Sequence, residues 1–180
     1  MKTYKFLKNV TFFFIGMLIS SAIFSQNSKD QKIIADANDA KVQFTKGDGS
    51  MNSLFSSSYG YAIFPNVGKG AIGIGGAAGN GAVYEHGKLI GMSSMKQVTV
   101  GFQWGGQAYR EVIFFETKVD LDRFIGNKVE FSAQASAVAV TVGASANAKF
   151  KDGMMIFTQT KGGLMYEASV GGQKFKFRKA

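Results

Sequence analysis

One histidine and no cysteine bound the chemistry available to this chain. Without cysteine there is no thiol nucleophile, no disulfide framework and no iron–sulfur ligation. His86 precedes Gly87, a pair suited to a tight turn between strands, and it reads as a turn residue rather than as a base or a metal ligand. The acids are dispersed. Glu85, Asp120, Asp122 and Asp152 lie beside turns or helix ends, and Glu111, Glu116, Glu130 and Glu167 are scattered. None stands at a spacing that pairs two carboxylates for acid–base work. Gly73-Ile74-Gly75-Gly76-Ala77-Ala78 fits G-x-G-x-x-A, but that fingerprint works only where a helix begins and its N-terminus holds a pyrophosphate. Here the chain runs through Asn80-Gly81 into further apolar alternation. Neither an enzyme nor a nucleotide, metal or cofactor site is expected.

The chemistry that remains is cationic. Gln173-Lys174-Phe175-Lys176-Phe177-Arg178-Lys179 alternates strictly, so a strand puts Lys174, Lys176 and Arg178 on one side and Phe175 and Phe177 on the other. Near an anionic surface each Lys or Arg contributes on the order of 1 kcal/mol. Lys174, Lys176, Arg178 and Lys179 together supply roughly 4 kcal/mol, about a thousandfold in affinity at low salt, and salt screens it. The same lysines also discourage edge-to-edge sheet association. Lys29, Lys32 and Lys46 form a second cationic set near the N-terminus. The whole chain has 21 Lys and Arg against 12 Asp and Glu, a net charge of +9. That balance favours anionic partners.

Which anion is narrowed by the first 25 residues. Lys2, Lys5 and Lys8 precede an apolar run from Val10 to Phe24, and polar residues come directly after it. This is the layout of a secretory signal peptide, and the run is shorter than the about 20 apolar residues of a spanning helix. Cleavage is expected after Ser25 or Gln26. It removes three lysines and no acid, so the mature chain stays basic. An exported protein rarely meets nucleic acid, which leaves a lipid or envelope-polymer surface as the expected anion.

The elements that hold these cations are set by periodicity. Ile33, Ala37, Ala40 and Phe44 fall within about 60° of one another on a helix, with Lys32, Asp36, Asp39, Gln43 and Lys46 opposite. Gly47-Asp48-Gly49 ends this amphipathic helix, whose apolar face packs on a sheet or lies on a membrane. Met51–Ser57 reads as a second short helix, anchored by Leu54 and Phe55. From Tyr59 the period becomes two. Pro65-Asn66 is expected to turn the chain and Ala71–Gly75 to form a strand. Hairpins are expected at His86-Gly87 and at Gly105-Gly106, and a helix capped by Thr117 at 117–124. Val129–Val142 alternates as one long strand, with Phe131, Ala133, Ala135, Ala137 and Ala139 on one face. Strands at 154–159, 164–170 and 173–177 complete the pattern. Gly makes up 23 of 180 residues; on strands it permits close backbone approach and bends.

Four blocks in order carry a family resemblance. Tyr59-Gly60-Tyr61-Ala62-Ile63-Phe64-Pro65-Asn66-Val67-Gly68-Lys69-Gly70, then Gly73 to Tyr84, then Gln97 to Gln107, then Gly163-Leu164-Met165-Tyr166-Glu167-Ala168-Ser169-Val170-Gly171-Gly172 resemble the SYLF domain from about residue 30 to 177. The resemblance implies lipid binding, to phosphoinositides and other anionic phospholipids. Many members carry Trp-Ser-x-Pro where this chain has Gly91-Met92-Ser93-Ser94. Some members bind actin and carry an SH3 module; no segment here resembles one, and actin binding is not expected.

The expected fold is α+β and mainly antiparallel β: a curved sheet or barrel-like sandwich with an N-terminal amphipathic helix and one short internal helix. Its parts are a signal peptide at 1–25, a helical segment at 26–58 and a β-rich core at 59–180. The expected function is an exported, non-enzymatic domain on anionic phospholipid at a membrane surface. The alternatives are a periplasmic carrier enclosing an apolar ligand and a structural envelope protein.

Overall fold

A computed structural model describes residues 28–72, 74–99, 107–131, 136–162 and 168–180. The expected signal peptide and the Gly105-Gly106 hairpin lie outside the described residues. The chain divides into two units, 1–32 and 33–180. Residues 28–32 of the first are helical.

The second unit is α+β. Within it, helix α1 (residues 33–47) is succeeded by α2 (Met51–Ser57) and four strands: β1 (Gly60–Ile72), β2 (Ile74–Glu85), β3 (Lys88–Thr99) and β4 (Gln107–Phe115). After them come α3 (Lys118–Ile125), β5 (Ser136–Ala139), β6 (Met154–Thr160), β7 (Ala168–Ser169) and β8 (Gln173–Lys179). The sheet order is β7-β5-β6-β4-β1-β2-β3-β8. Every pairing is antiparallel except β5 with β6. Glu130 forms a bridge with Lys174 on the outer side of β8, at the opposite end of the sheet order from β7.

Both faces of the sheet are covered by helix. On one, Ala37, Ala40 and Phe44 of α1 and Met51 and Phe55 of α2 pack on Tyr61, Ile63, Ala82, Tyr84, Met92, Val112, Phe114 and Phe157. The i, i+3, i+4 stripe of α1 is therefore core, as one of its two readings expected, and α2 has the expected bounds. On the other face, Leu121 and Phe124 of α3 join Phe64, Val83, Met95, Ile113, Phe115, Phe131 and Phe175. Thr117 caps α3 through a capping box with Asp120, which satisfies two otherwise orphaned N–H groups.

Three expectations are corrected. Pro65-Asn66 does not turn the chain: β1 runs through it, with register shifts against β2 and β4. Proline has no N–H for the ladder, and a central strand accommodates it as a bulge. Ala71–Gly75 is not one strand either, because Ile72 ends β1, Ile74 begins β2 and the two are cross-strand partners. The alternating segment 129–142 is not a single strand to its end. Its described ladder stops at Ala139, and residues 142–144 turn, closed by the Ala144 N–H on Thr141 O at 3.0 Å. Of 164–170, strand is described at Ala168–Ser169.

His86 and Gly87 join β2 to β3 with φ of 46° and 78°. Two successive positive φ values make the turn whose twist suits a two-residue hairpin. The histidine ring meets Tyr59 edge-on at 4.4 Å, and the Tyr59 hydroxyl donates to Glu85 Oε1 at 2.7 Å.

Candidate functional site

Strand β8 sorts its side chains as the alternation requires. Gln173 and Phe175 are buried, Phe177 is half-buried, and Lys174, Lys176 and Arg178 are exposed. The apolar side is locked in place. The Phe175 ring lies 5.7 Å from Phe64, 5.0 Å from Phe124 and 5.3 Å from Phe131. Gly91 stands opposite Lys179, where a Cβ would come within 2.5 Å of the Phe177 ring; glycine there lets that ring lie on the strand. At the root of β8, Gln173 Nε2 donates to Glu111 Oε2 at 2.9 Å, and Gln97 Nε2 donates to Gly171 O at 3.0 Å. The Phe177 N–H donates to Asn127 Oδ1 at 2.7 Å. With one side buried and both ends tied, the basic side has a fixed direction.

Register then adds a residue that local sequence did not reveal. Lys96 is the direct partner of Lys174, Ser94 of Lys176 and Met92 of Arg178. Cross-strand partners project to the same face, about 5 Å apart at Cβ, and alternate residues along a strand are about 7 Å apart. Lys96, Lys174, Lys176 and Arg178 therefore form one patch on the face that carries α1 and α2. The next strand gives the patch a low floor: Ala78 partners Lys96 and Asn80 partners Ser94, and both Ala78 and Asn80 are exposed. Two lysines directly opposite repel. Glu130 relieves part of this, its Oε1 lying 3.2 Å from Lys174 Nζ with both side chains more than half exposed. A pair so open to water contributes only about 0–1 kcal/mol, so an external anion competes with it readily.

The other predicted cations go elsewhere. Lys179 has the parity of Phe175 and Phe177 and is not on the patch. Lys46 is exposed in the last turn of α1, beside Gly47, whose Cβ position lies 3.0 Å from Val140 Cγ1. Lys29 and Lys32 are exposed helical residues of the first unit. Lys41, which the sequence did not single out, is half-buried; it donates to the Tyr61 hydroxyl at 3.2 Å and lies 4.8 Å over the Phe55 ring.

Several carboxylates have structural partners. Asp122 pairs with Lys118 at 2.7 Å and Asp152 with Arg123 at 2.7 Å; the guanidinium holds Asp152 below the ordinary carboxyl range. Asp48 is buried, which pushes its pKa up, yet hydrogen bonds from Ser145 and Ser50 outweigh burial and leave it lowered. Burial, with the Glu111 charge beside it, pushes the Tyr109 phenol far up. Among the described residues no group of three or more His, Asp or Glu is placed to hold a metal ion. What the patch can do chemically is bind anions by charge.

Comparison with known proteins gives two findings. Residues 96–180, which include all of β8 and begin at Lys96, match the family model described as Ysc84, Las17-binding protein actin regulator, a SYLF-domain model. The chain is also 29% identical over 149 residues to Beta cell expansion factor A of Aeromonas veronii, an alignment covering 77% of this chain and 53% of that protein. The chain thus spans about half the length of the curated relative it matches. The resemblance read from the glycine-rich blocks is to this family.

Proposed function

We propose that this SYLF-type protein is an exported, non-enzymatic domain that docks on anionic phospholipid surfaces through the patch on β3 and β8. The family resemblance supports interaction with lipid or membrane in general. The observation that carries the finer reading is the β3–β8 register, which sets Lys96 beside Lys174, Lys176 and Arg178 on one open sheet face. Four cations on one strand pair attract headgroup phosphates additively, each adding on the order of 1 kcal/mol. A carrier enclosing an apolar ligand fits less well, because the ring contacts around Phe175 occupy the side of β8 that faces the core.

Co-sedimentation with vesicles tests the reading. Binding is expected to vesicles of phosphatidylcholine and phosphatidylglycerol in equal parts, not to phosphatidylcholine alone, and to weaken as salt rises. Equal binding to both vesicles would remove the electrostatic argument. Export rests on residues 1–25, and an intact mass of protein extracted from the cell envelope tests it. A mass that begins near Gln26 is expected; a chain retaining Met1 would overturn the cleavage.

A further inference from the structure

The segment between β5 and β6 carries an exposed apolar tip. Val142 is 92% exposed, more than Val119 at 66%, Val42 at 48% or Val138 at 37%. A single exposed valine is ordinary; three further features set this one apart. No charged residue occurs between Glu130 and Lys149, so the tip carries no group that resists leaving water. The loop is also fixed rather than slack. The Val140 N–H donates to Thr158 O at 2.8 Å and the Ala144 N–H to Thr141 O at 3.0 Å, and the Ser145 N–H donates to the buried Asp48 Oδ2 at 2.7 Å. Finally, the tip is flanked by exposed cations: Lys149 and Lys151 lie just beyond it in the chain, and Lys46 stands at the end of α1, next to the Gly47 that meets Val140. The carboxylates of this region are engaged, Asp48 by Ser145 and Ser50 and Asp152 by Arg123.

An uncharged, pre-formed apolar tip with exposed lysines following it in the chain and at the neighbouring end of α1 matches the boundary of an anionic bilayer, where apolar groups enter the acyl region and ammonium groups stay with the phosphates. We propose that the 140–151 loop is a membrane-insertion element. Val142 enters the acyl boundary of an anionic bilayer while Lys46, Lys149 and Lys151 hold its headgroups. The proposal rests on the lipid reading and adds a second, apolar point of attachment. In the sheet order β5 and β6 are far from β8, so this point is separate from the patch.

The absence of cysteine makes the test direct. Val142→Cys and, as control, Val119→Cys on α3 each supply a unique thiol for a polarity-sensitive fluorophore. With vesicles of phosphatidylcholine and phosphatidylglycerol in equal parts, the label at 142 is expected to shift to the blue and to be quenched by brominated acyl chains. The label at 119 is expected to do neither. Val142→Asp, at an exposed position, is expected to weaken vesicle affinity about tenfold with an unchanged circular dichroism spectrum. Co-sedimentation without a shift at 142 overturns insertion and leaves the lipid reading standing. Failure of the unlabelled protein to sediment with these vesicles overturns both. A shift at 142 that survives charge reversal of Lys174 and Lys176 keeps insertion and moves the electrostatic contact away from β8.

Discussion

Helix α1 and strand β8 each carry an apolar side and a polar side that bears cations. Both bury the apolar side: Ala37, Ala40 and Phe44 in one case, Phe175 in the other. They differ in what their polar sides meet. On α1 the polar residues are used within the molecule. Asp36 accepts from Asn66 at 3.0 Å, Lys41 donates to Tyr61, and the Gln43 carbonyl accepts from Gln159 at 3.1 Å. On β8 the polar side holds only cations, and register sets another, Lys96, beside them. Amphipathicity alone therefore does not mark a lipid-facing element. The sign of the polar side is what sets the proposed docking strand apart.

The largest effects come from breaking the half that the two elements share. Phe44→Ala and Phe175→Ser are each expected to lower stability by about 3–5 kcal/mol, read from urea unfolding midpoints. A loss below about 1 kcal/mol for Phe44→Ala would mean that α1 rests on the sheet without being part of the core.

The half they do not share is sharpened by charge reversal. Lys174→Glu with Lys176→Glu is expected to weaken binding to anionic vesicles at least a hundredfold at low salt, with stability changed by less than about 0.5 kcal/mol. Lys29→Glu with Lys32→Glu is expected to weaken it far less. If the helix pair has the larger effect, the assignment of the two elements reverses.

A smaller effect tests how the end of α1 is held. Asp48→Asn is expected to cost about 1–3 kcal/mol, since it weakens the acceptor of the Ser145 and Ser50 N–H groups. The folded carboxyl lies below its ordinary value of 3.8, so the unfolded chain takes up the proton first. The stabilisation is complete above 3.8 and is lost as pH falls through the folded value. Unfolding midpoints across that range are expected to fall in the wild type and to show a shallower dependence in Asp48→Asn.

The smallest effect belongs to neither element. His86→Asn is expected to change stability by less than about 0.5 kcal/mol and vesicle binding not at all, because Asn suits a positive-φ turn position. Loss of vesicle binding in this variant would show that the β2–β3 turn takes part.

Local features were legible from sequence because their causes are local. The stripe of α1, the Thr117 cap, the His86-Gly87 turn and the two sides of β8 each depend on residues a few positions apart. The features that were not legible depend on pairing between distant segments. Lys96 joins the patch, and Lys179 leaves it, only through the β3–β8 register. Glu130 comes to Lys174 because residues 130–131 bridge to β8. Pro65-Asn66 looked like a turn because proline usually marks one, and only neighbours on both sides of β1 make it a bulge. The alternation through Val142 resembled one long strand, but the bond from Ser145 to Asp48, 97 residues away, fastens the bend beyond it.

The ties at the root of β8 bear on how the chain reaches this structure. Gln173 meets Glu111 across 62 residues of sequence and Gln97 meets Gly171 across 74. Bringing such distant partners together costs loop-closure entropy before any contact rewards it, and domains rich in non-local pairings fold slowly. The strand that carries the basic patch is the last of the described strands. Until it docks, Phe64, Phe124 and Phe131 lack the ring they pack against and Glu111 lacks its amide donor. The segment proposed to meet lipid is thus tied into the fold by contacts distant in sequence. A chain shortened before Gln173 is expected to lose its cooperative unfolding transition together with its affinity for vesicles.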